Sequence, residues 1–345
     1  MTDAQPPLTG HAAALPVAAI CARFGLGTTR RLTPITTGLM NQTWRLDTTF
    51  GSVAVKAITD ADAEQSAFQH RVTAALAEAG LPVPRPRLTT DGHSVLTLQG
   101  RSFSVTPWVS GRHLPGRSWS AEQCRRAGTL LGRIHLALAA ILPDGLAPIR
   151  PRLPHLAEAQ ADVDRYEALI RGRGPGDAFD RLACARLDAR RALLERFGHL
   201  RPDDSTELEP AGYVHGDFHH LNVLWDDGGG QVVAVVDWDR LGRRAYAYEL
   251  ARAAAVMFAA PSGALDVTRV AAFASAYRTV VAVTDEQVVS AVRCLWWDQL
   301  CDLWHLRRHY VRSDTSCDHL FASSCALLQW WSDHLSVVEQ AFIVR

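Results

Sequence analysis

A short β-hairpin in the second half of the chain is the feature that most constrains the fold. Two apolar runs, NVLWDD and QVVAVVDWD, are joined by DGGG, a combination that strongly predicts a turn. With the turn centred near residue 228, position 222 lies roughly opposite position 235, so Asn222 enters the hairpin and Asp237 leaves it at the same open end. Asp217 lies just upstream, within YVHGDFHHLNVLW. The hairpin therefore brings together three polar side chains that are separated along the sequence.

The histidines of this stretch raise the alternative of a zinc site. His215 and His219 are four residues apart, a spacing that places two ligands on one face of a helix. Gly216 and the apolar run that follows argue against a helix here, and Asp217 is the only further clear ligand. We therefore interpret His215 and His219 as braces of a loop rather than as ligands of a metal.

The side chains at the open end of the hairpin suit a different metal. Asn222 and Asp237 offer oxygen ligands, which are preferred by Mg²⁺, a hard cation that retains several waters. The carboxylate of Asp217 suits a group that accepts or orients a hydroxyl proton. An Asp followed by Asn after four intervening residues, and then by a metal-binding Asp beyond the next strand, is the arrangement used for phosphoryl transfer in the protein-kinase fold.

Four segments carry a resemblance to a known family. HGDFHHLNVL and VVDWDRLGRRAYAYELARA, with LLGRIH at 130–135 and GLPVPRP at 80–86, resemble the aminoglycoside phosphotransferase superfamily, which includes type II homoserine kinases and choline kinase-like enzymes. The resemblance spans roughly residues 30–310 and implies a bilobal, protein-kinase-like α+β fold that uses ATP and Mg²⁺. Where the family usually has Asp-Leu-Ala, this chain has Glu249 followed by Leu-Ala. Arg240 and Glu249 are expected to stabilise the loop after Asp237.

The hydrophobic pattern divides the chain into a β-rich part and a helical part. The first part contains predicted strands in RRLTPITTGLMNQTWRLDT and GSVAVKAI and a predicted helix at 61–79. Beyond about residue 118 the pattern is helical, interrupted by the β-rich island 213–238. We expect an N-lobe at 1–108 with a nucleotide-binding sheet and one helix. A helical C-lobe at 109–345 is expected to carry the catalytic loop, the metal site and the acceptor-binding helices.

Lys56 stands out because it is the single lysine among 36 Lys and Arg residues. A lysine that stands alone against this bias indicates a position at which the planar guanidinium of arginine is unsuitable. A turn near 48–51 places Lys56 opposite positions 42–43, beside the loop TTGLMNQT. The resemblance implies that Lys56 neutralises nucleotide phosphates. The further phosphate-side contacts that it implies are Gly38, Asn41 and Thr43.

The other nucleotide-side residues are expected on the N-lobe helix and at the end of the sheet. Lys56 needs an acidic partner, for which we select Glu64 in the first turn of the helix, although Gln69 occupies the more central position where an acid is expected. The alternative for Glu64 is a solvated charge favoured by the helix dipole. The segment FSVTPWVSGRHL is expected to pass the adenine, with a carbonyl from Pro107 and an N–H donor from Val109.

The segment CLWWDQLCDLWH at 294–305 is the predicted acceptor side, through Trp297, Asp298 and Asp302. The two aspartates are four residues apart on a helix predicted at 285–310 and therefore share a face. An ammonium-bearing substrate would relieve their repulsion and contact the tryptophan by a cation–π interaction. The alternative is that the tryptophans belong to the core and that Asp302 pairs with Arg307 or Arg308. Both interpretations remain open.

The composition limits the classes of partner. With 36 basic and 36 acidic residues the net charge is zero, which gives no indication of a nucleic-acid partner. Seven scattered cysteines without a C-x-x-C pair favour reduced, buried thiols. The N-terminal residues show no signal-peptide pattern, and no apolar window of about 18 residues occurs. We therefore expect a cytoplasmic protein without a membrane span.

These observations together predict an ATP-dependent kinase that transfers the γ-phosphate to a hydroxyl of a small molecule. The acceptor is either an amine-bearing antibiotic, as in resistance, or a metabolite such as an amino alcohol or a sugar. The oligomeric state stays open. The alternative class is a pseudokinase that binds nucleotide without turnover. A kinase of protein side chains is disfavoured, because the sequence lacks an Ala-Pro-Glu element and too few residues follow Asp237 for a long activation loop.

Overall fold

The computed structural model describes residues 15–35, 42–58, 62–174 and 176–344. Its backbone divides into two compact units. The first unit contains the described residues up to Ala67 together with Arg85–Trp108, and the second contains Phe68–Pro84 and the chain from Val109 onward. Val72 and Leu76 are buried in the core of the second unit, which explains why Phe68–Pro84 groups with it. The division into contiguous lobes at 108/109 stays a prediction.

The first unit is built on a five-stranded antiparallel sheet with the strand order β1-β2-β3-β5-β4. Along the central strand β3, Val53, Val55 and Ala57 are buried while their neighbours are only partly covered, as the period-2 pattern predicts. Ile20, in helix α1, and Phe24, at the end of that helix, complete the small core. The sequence pattern did not predict this helix. The elements are α1 (Val17–Arg23), β1 (Thr29–Ile35), β2 (Thr43–Thr48), β3 (Gly51–Ile58), β4 (Leu96–Leu98) and β5 (Arg101–Pro107).

The second unit is mainly helical, and its core contains most of the buried aromatic side chains. Its helices are α2, which begins in the first unit (Ala63–Glu78), α3 (Ala121–Ile141), α4 (Leu156–Arg171), α5 (Ala178–Phe197), α6 (Tyr246–Phe258), α7 (Val267–Arg278), α8 (Asp285–Cys301), the short α9 (Trp304–Leu306), α10 (Asp318–Asp333) and α11 (Leu335–Ile343). Within the described ranges, no helix is long and apolar enough to cross a bilayer.

Two small antiparallel sheets interrupt these helices, and they extend beyond the predicted β-rich island 213–238 at both ends. One pairs β6 (Ala211–Val214) with β9 (Gly242–Ala245), and the other pairs β7 (Val223–Trp225) with β8 (Val232–Val235). Val223, not residue 222, lies opposite Val235, so the predicted register was wrong by one residue. A register shift between Leu224 and Trp225 gives β7 and β8 unequal numbers of residues, which the sequence pattern did not reveal.

Helix α8 ends earlier than the sequence predicts. Asp302 leaves the helical region with φ −80° and ψ 124°, so the predicted helix 285–310 is interrupted at Asp302 and Leu303 and resumes at Trp304. The physical reason is the buried Arg190, which donates hydrogen bonds to the carbonyls of Gln299 and Leu300 at 3.0 and 2.6 Å. These are carbonyls of the last helical turn, and a side-chain donor replaces the backbone N–H groups that a longer helix would supply. A π-helical turn, Arg307–Val311, follows α9.

Helix α3 packs unusually close to the backbone of α7 at Gly128 and to the residues just after α7 at Gly132. A Cβ atom on Gly128 would lie 2.1 Å from the carbonyl oxygen of Phe273, and one on Gly132 would lie 2.9 Å from Val280 Cβ. The two glycines are four residues apart and therefore lie on the same face of α3. This close crossing sets the depth at which the next turn of α3, with His135, meets Tyr277.

We predict that Gly128→Ala lowers the free energy of unfolding by about 1–3 kcal/mol, because the added methyl group forces α3 and α7 apart. The measurement is urea denaturation of the wild type and the variant. Gly172→Ala is the matched control, since a Cβ there meets its nearest atom at 3.4 Å in ordinary contact. Equal midpoints for Gly128→Ala and the wild type would contradict the close-packing account.

Candidate active site

The loop between β6 and β7, residues 215–222 and here called the HGD loop, is shaped by a glycine. Gly216 has φ +82°, and a Cβ atom at this position would lie 2.1 Å from the carbonyl oxygen of Arg240. A larger residue would therefore be strained by its backbone conformation and would also collide with the backbone of the chain after Asp237. The Gly before Asp217 lets these two segments approach each other.

His215 joins the HGD loop to the strand that leads to Asp237. Its Nδ1 accepts a hydrogen bond from the backbone N–H of Asp217 at 3.2 Å, and its Nε2 donates to the carbonyl of Val236 at 3.0 Å. Burial lowers the pKa of His215, which keeps the ring neutral with its proton on Nε2. The predicted bracing role of His215 is confirmed.

A buried carboxylate holds the loop from behind. Glu249, in the first turn of α6, accepts a hydrogen bond from the backbone N–H of Gly216 and lies 2.8 Å from Nε2 of His135. The other ring nitrogen of His135 lies 2.7 Å from the hydroxyl of Tyr277. Burial raises the pKa of Glu249, but the hydrogen bonds from His135 and Gly216 outweigh it, so the pKa lies below its ordinary value. An ionised Glu249 thus ties α3, α6 and α7 to the backbone beside Asp217.

The carboxylate of Asp217 is surrounded by positive and polar groups. Nη2 of Arg252 donates to Oδ1 at 2.6 Å, while Nε2 of His219 and Nε of Arg240 lie 3.5 and 3.8 Å from Oδ2. Burial raises the pKa of Asp217, but its interactions with His219 and the charge of Arg252 reverse this effect, leaving the pKa well below its usual range. Asp217 is therefore an anion at neutral pH and is held at a fixed position.

The fold brings the two predicted metal ligands to the same end of the β7–β8 hairpin. The backbone N–H of Val236 donates to the carbonyl of Asn222 at 2.9 Å, so Asp237 follows directly after the last contact with Asn222. The side-chain amide of Asn222 donates to the carbonyl of Asp217 at 2.9 Å, which directs its amide nitrogen inward. An amide oxygen and the exposed carboxylate of Asp237 are hard oxygen donors, and this donor set fits Mg²⁺.

Two further observations bear on a metal at this site. Asp237 has φ +64°, a left-handed conformation that is uncommon outside glycine and is often found at functional sites. Among the described residues, no group of three or more His, Cys, Asp and Glu side chains is placed to hold a metal ion. Mg²⁺ in proteins commonly keeps several waters and is bound by one or two carboxylates together with substrate phosphates.

Most of the described residues that are predicted to lie on the nucleotide side belong to the first unit. Thr43 on β2 pairs with Lys56 on β3, which confirms the predicted register of this hairpin. Glu64 is exposed in the first turn of α2. Its pairing with Lys56 stays a prediction, and the predicted contacts Gly38 and Asn41 lie outside the described residues. Pro107 ends β5 opposite Val53 and is exposed.

The structure also describes Val109 and Gln69, two further residues considered for the nucleotide side. Val109, the predicted donor to the adenine, is half-buried at the start of the second unit's main segment. Gln69, at the position on α2 where an acid was expected, is buried and donates its side-chain amide to the carbonyl of Asp239 at 2.8 Å. Gln69 therefore supports the segment that follows Asp237, which a carboxylate, lacking a donor, would not do.

On the acceptor side, the structure corrects the prediction for Trp297 and shows the partners of Asp298 and Asp302. Trp297 is 0% exposed and donates its indole N–H to the carbonyl of Pro154 at 2.8 Å, so it belongs to the core and offers no surface to an acceptor. Asp298 accepts a hydrogen bond from Tyr248 at 2.6 Å. Asp302 lies beyond the end of α8 and 3.4 Å from Arg307. The N–H of Asp302 still bonds to the carbonyl of Asp298 at 2.9 Å, so the two aspartates are neighbours across the last turn of α8, as predicted. Burial and the nearby charge of Asp298 raise the pKa of Asp302.

Sequence comparison identifies the family. A model described as the phosphotransferase enzyme family matches residues 31–282, which is most of the chain. The chain belongs to the phosphotransferase enzyme family. The predicted resemblance is thereby confirmed, and the match includes every element that shapes the HGD loop.

Individual relatives agree with this assignment. The homoserine kinase of Methylobacillus flagellatus is 26% identical over 289 residues, which is 81% of this chain and 82% of that protein. A solved amicoumacin kinase in complex with AMP-PNP and Ca²⁺ is similar with a TM-score of 0.59 and 14% identity, covering 91% of this chain and 92% of that one. A microcompartment-associated aminopropanol kinase has a TM-score of 0.55 and 15% identity, covering 95% and 98%.

These likenesses confirm the predicted protein-kinase-like α+β fold, with a small antiparallel sheet in one unit and a helical second unit. The family match and the similarity to homoserine kinase define the class of enzyme. This phosphotransferase is an ATP-dependent kinase that acts on an alcohol group.

Sequence reasoning missed Arg252 and Tyr248 as site residues. Both lie on α6 within the motif segment VVDWDRLGRRAYAYELARA, on either side of Glu249. A signal was present, because Tyr248 and Arg252 are four residues apart and so share a helix face. The spacing alone does not reveal what this face contacts, because Arg252 binds Asp217, which is 35 residues away in the sequence.

We predict that Glu249→Ala lowers the free energy of unfolding by about 3–5 kcal/mol, because it leaves His135 and the N–H of Gly216 buried without their partner. Glu249→Gln keeps an acceptor oxygen for the N–H of Gly216, so its free energy of unfolding should fall by less. The measurement is chemical denaturation of both variants. Glu122→Ala, which removes an exposed ion pair with Arg126, is the control and should match the wild type. A Glu249→Ala protein as stable as the wild type would show that the carboxylate does not hold the loop.

Proposed function

We propose that this enzyme transfers the γ-phosphate of ATP, as its Mg²⁺ complex, to the hydroxyl of a small molecule that also carries an amine. The observation that carries the proposal is the convergence of Asp217, Asn222 and Asp237 at the open end of one hairpin, held by His215 and Glu249. Oxygen donors beside an anionic, positioned carboxylate are what phosphoryl transfer to an alcohol requires.

In the proposed reaction, the acceptor oxygen attacks the γ-phosphorus and the bond to the β–γ bridging oxygen breaks. ADP leaves with the electron pair of that bond, and the hydroxyl proton passes to Asp217 and then to solvent. Asn222 and Asp237 would hold Mg²⁺, which when bound supplies neutralisation of phosphate charge. Lys56 contributes a further positive charge from β3. Most of the rate enhancement comes from positioning and charge stabilisation, since Asp217 is a weak base.

The class of acceptor is proposed from the neighbourhood of Asp217. Tyr248 and Arg252 lie on one face of α6, and they contact Asp298 and Asp217 respectively. Burial next to the Asp298 carboxylate raises the pKa of Tyr248, so the phenol remains a donor and orients that carboxylate. An acceptor whose hydroxyl meets Asp217 would place an ammonium group near Asp298. The homoserine and aminopropanol named for two relatives both carry a hydroxyl and an amine.

The test of activity is an acceptor screen with labelled ATP on the wild type and Asp217→Asn. The panel contains homoserine, aminopropanol and amicoumacin, with 4-hydroxybutyrate and propanol as matched acceptors that lack the amine. We expect transfer to at least one amine-bearing acceptor, and a loss of at least about 100-fold in kcat for Asp217→Asn. Equal transfer by Asp217→Asn would refute the catalytic assignment. Binding of AMP-PNP without transfer to any acceptor would favour the pseudokinase alternative.

For the acceptor amine, we predict that Asp298→Asn raises KM for the acceptor by about 10- to 100-fold, because a charge-assisted hydrogen bond is lost. KM for ATP should not change. Asp302→Asn is the comparison variant and should raise KM for the acceptor less than Asp298→Asn does, since Asp302 already lies 3.4 Å from the guanidinium of Arg307. A larger effect at position 302 than at 298 would contradict the proposed orientation of the acceptor.

For Lys56, we predict that Lys56→Ala weakens the use of ATP, as a higher KM for ATP or a lower kcat. Lys56→Arg keeps the charge but introduces the planar guanidinium, and we expect it to remain impaired. Steady-state kinetics with varied ATP is the measurement. Unchanged ATP kinetics in Lys56→Ala would remove this lysine from the site.

A further inference from the structure

The two oxygens of the Asp217 carboxylate have different surroundings. Nη2 of Arg252 donates to Oδ1 at 2.6 Å, a short charge-assisted hydrogen bond. At Oδ2 the contacts are longer: Nε2 of His219 lies at 3.5 Å and Nε of Arg240 at 3.8 Å, beyond the usual hydrogen-bond distance. Oδ1 is therefore occupied, whereas Oδ2 keeps the capacity to accept a hydrogen bond from another group.

The position of Arg252 is not one that favours the stability of the fold. Its Nη1 is buried and has no hydrogen-bond partner within the described structure, while Nη2 serves Asp217. A buried donor without a partner costs about 1–3 kcal/mol. An apolar side chain at this position of α6 would avoid that cost. Within the described residues, the hydrogen bond to Asp217 is the contact that best accounts for a guanidinium here.

We propose that Arg252 is a positioning residue for phosphoryl transfer, which holds Oδ1 of Asp217 so that Oδ2 faces the acceptor hydroxyl. This inference rests on the proposed function, because it assumes that Asp217 receives the hydroxyl. Arg252 and Glu249 are three residues apart on α6 and act on neighbouring parts of the HGD loop. Glu249 fixes the backbone at Gly216, and Arg252 fixes the side chain that follows it.

The consequence is kinetic. Without Arg252, the Asp217 side chain can rotate, and the hydroxyl loses its alignment with the γ-phosphorus. Displacement of a reacting group by about 1 Å can cost on the order of 100-fold in rate. Nucleotide binding does not use this contact, so the loss should appear in kcat and not in KM for ATP.

The experiment measures single-turnover transfer from labelled ATP to the best acceptor of the screen. The variants are Arg252→Gln, Arg252→Lys, Asp217→Asn and the double variant Asp217→Asn/Arg252→Gln. Arg191→Gln on α5 is the matched control, because Arg191 is similarly exposed, at 31% against 26%, and pairs with Asp164 and Glu167 at 2.8 Å away from the HGD loop. AMP-PNP binding by calorimetry verifies that each variant is folded.

We expect Arg252→Gln to lower the transfer rate by about 10- to 100-fold with unchanged AMP-PNP binding. Arg252→Lys should recover part of the rate, because its ammonium can still reach Oδ1. In the Asp217→Asn background, Arg252→Gln should have little further effect, since the two residues act as a unit. If Arg252→Gln does not fold, the partial loss in Arg252→Lys is the deciding observation.

Two results would overturn the inference. One is a transfer rate for Arg252→Gln within about twofold of the wild type. The other is an equal loss with and without the Asp217→Asn substitution, which would place the action of Arg252 elsewhere. The proposed function fails separately, through full activity of Asp217→Asn. An inactive Asp217→Asn beside a fully active Arg252→Gln would remove only the role of Arg252.

Discussion

The hydrogen bond from the backbone N–H of Gly216 to the buried carboxylate of Glu249 is the interaction on which the site depends. A buried N–H without a partner is costly, so this contact fixes the backbone immediately before Asp217. Glu249 is fixed in turn by His135, and His135 by Tyr277. The position of the HGD loop therefore depends on the depth at which α3 and α7 cross.

Helix α6 serves the site through three side chains with different partners. Glu249 holds the backbone of the HGD loop, Arg252 holds the carboxylate of Asp217, and Tyr248 orients Asp298 on α8. One rigid helix thus sets the spacing between the group proposed to receive the hydroxyl and the group proposed to receive the amine. If the acceptor is bound as proposed, a substitution on α8 would alter the acceptor contacts without moving Asp217.

The sequence predicted those features that depend on local pattern. The β2–β3 turn and the pairing of Lys56 with Thr43 follow from strand alternation and a short turn. The β7–β8 hairpin was also predicted, but its register was shifted by a residue because the irregularity at Leu224 has no signature in the sequence. The family resemblance, carried by four motif segments, was confirmed by the match over residues 31–282.

Features set by contacts between distant segments were not predictable in this way. The end of α8 depends on Arg190, more than a hundred residues earlier, whose guanidinium occupies the carbonyls of Gln299 and Leu300. Trp297 was predicted to contact the acceptor because aromatic residues near aspartates suit an ammonium group. Its side chain is instead fully buried in the core. Arg252 was overlooked because only the fold brings α6 against the HGD loop.

The central claim, that Glu249 holds the HGD loop in place beside Asp217, can be tested by amide hydrogen exchange. The measurement compares the exchange of residues 213–222 with that of α8 in the wild type and in Glu249→Ala, under conditions where both proteins are fully folded. Because it is hydrogen-bonded to Glu249, the Gly216 amide should exchange slowly in the wild type. In the variant, this amide should exchange much faster while the amides of α8 keep their protection. Equal protection of the Gly216 amide in the two proteins would show that Glu249 does not hold the HGD loop in place.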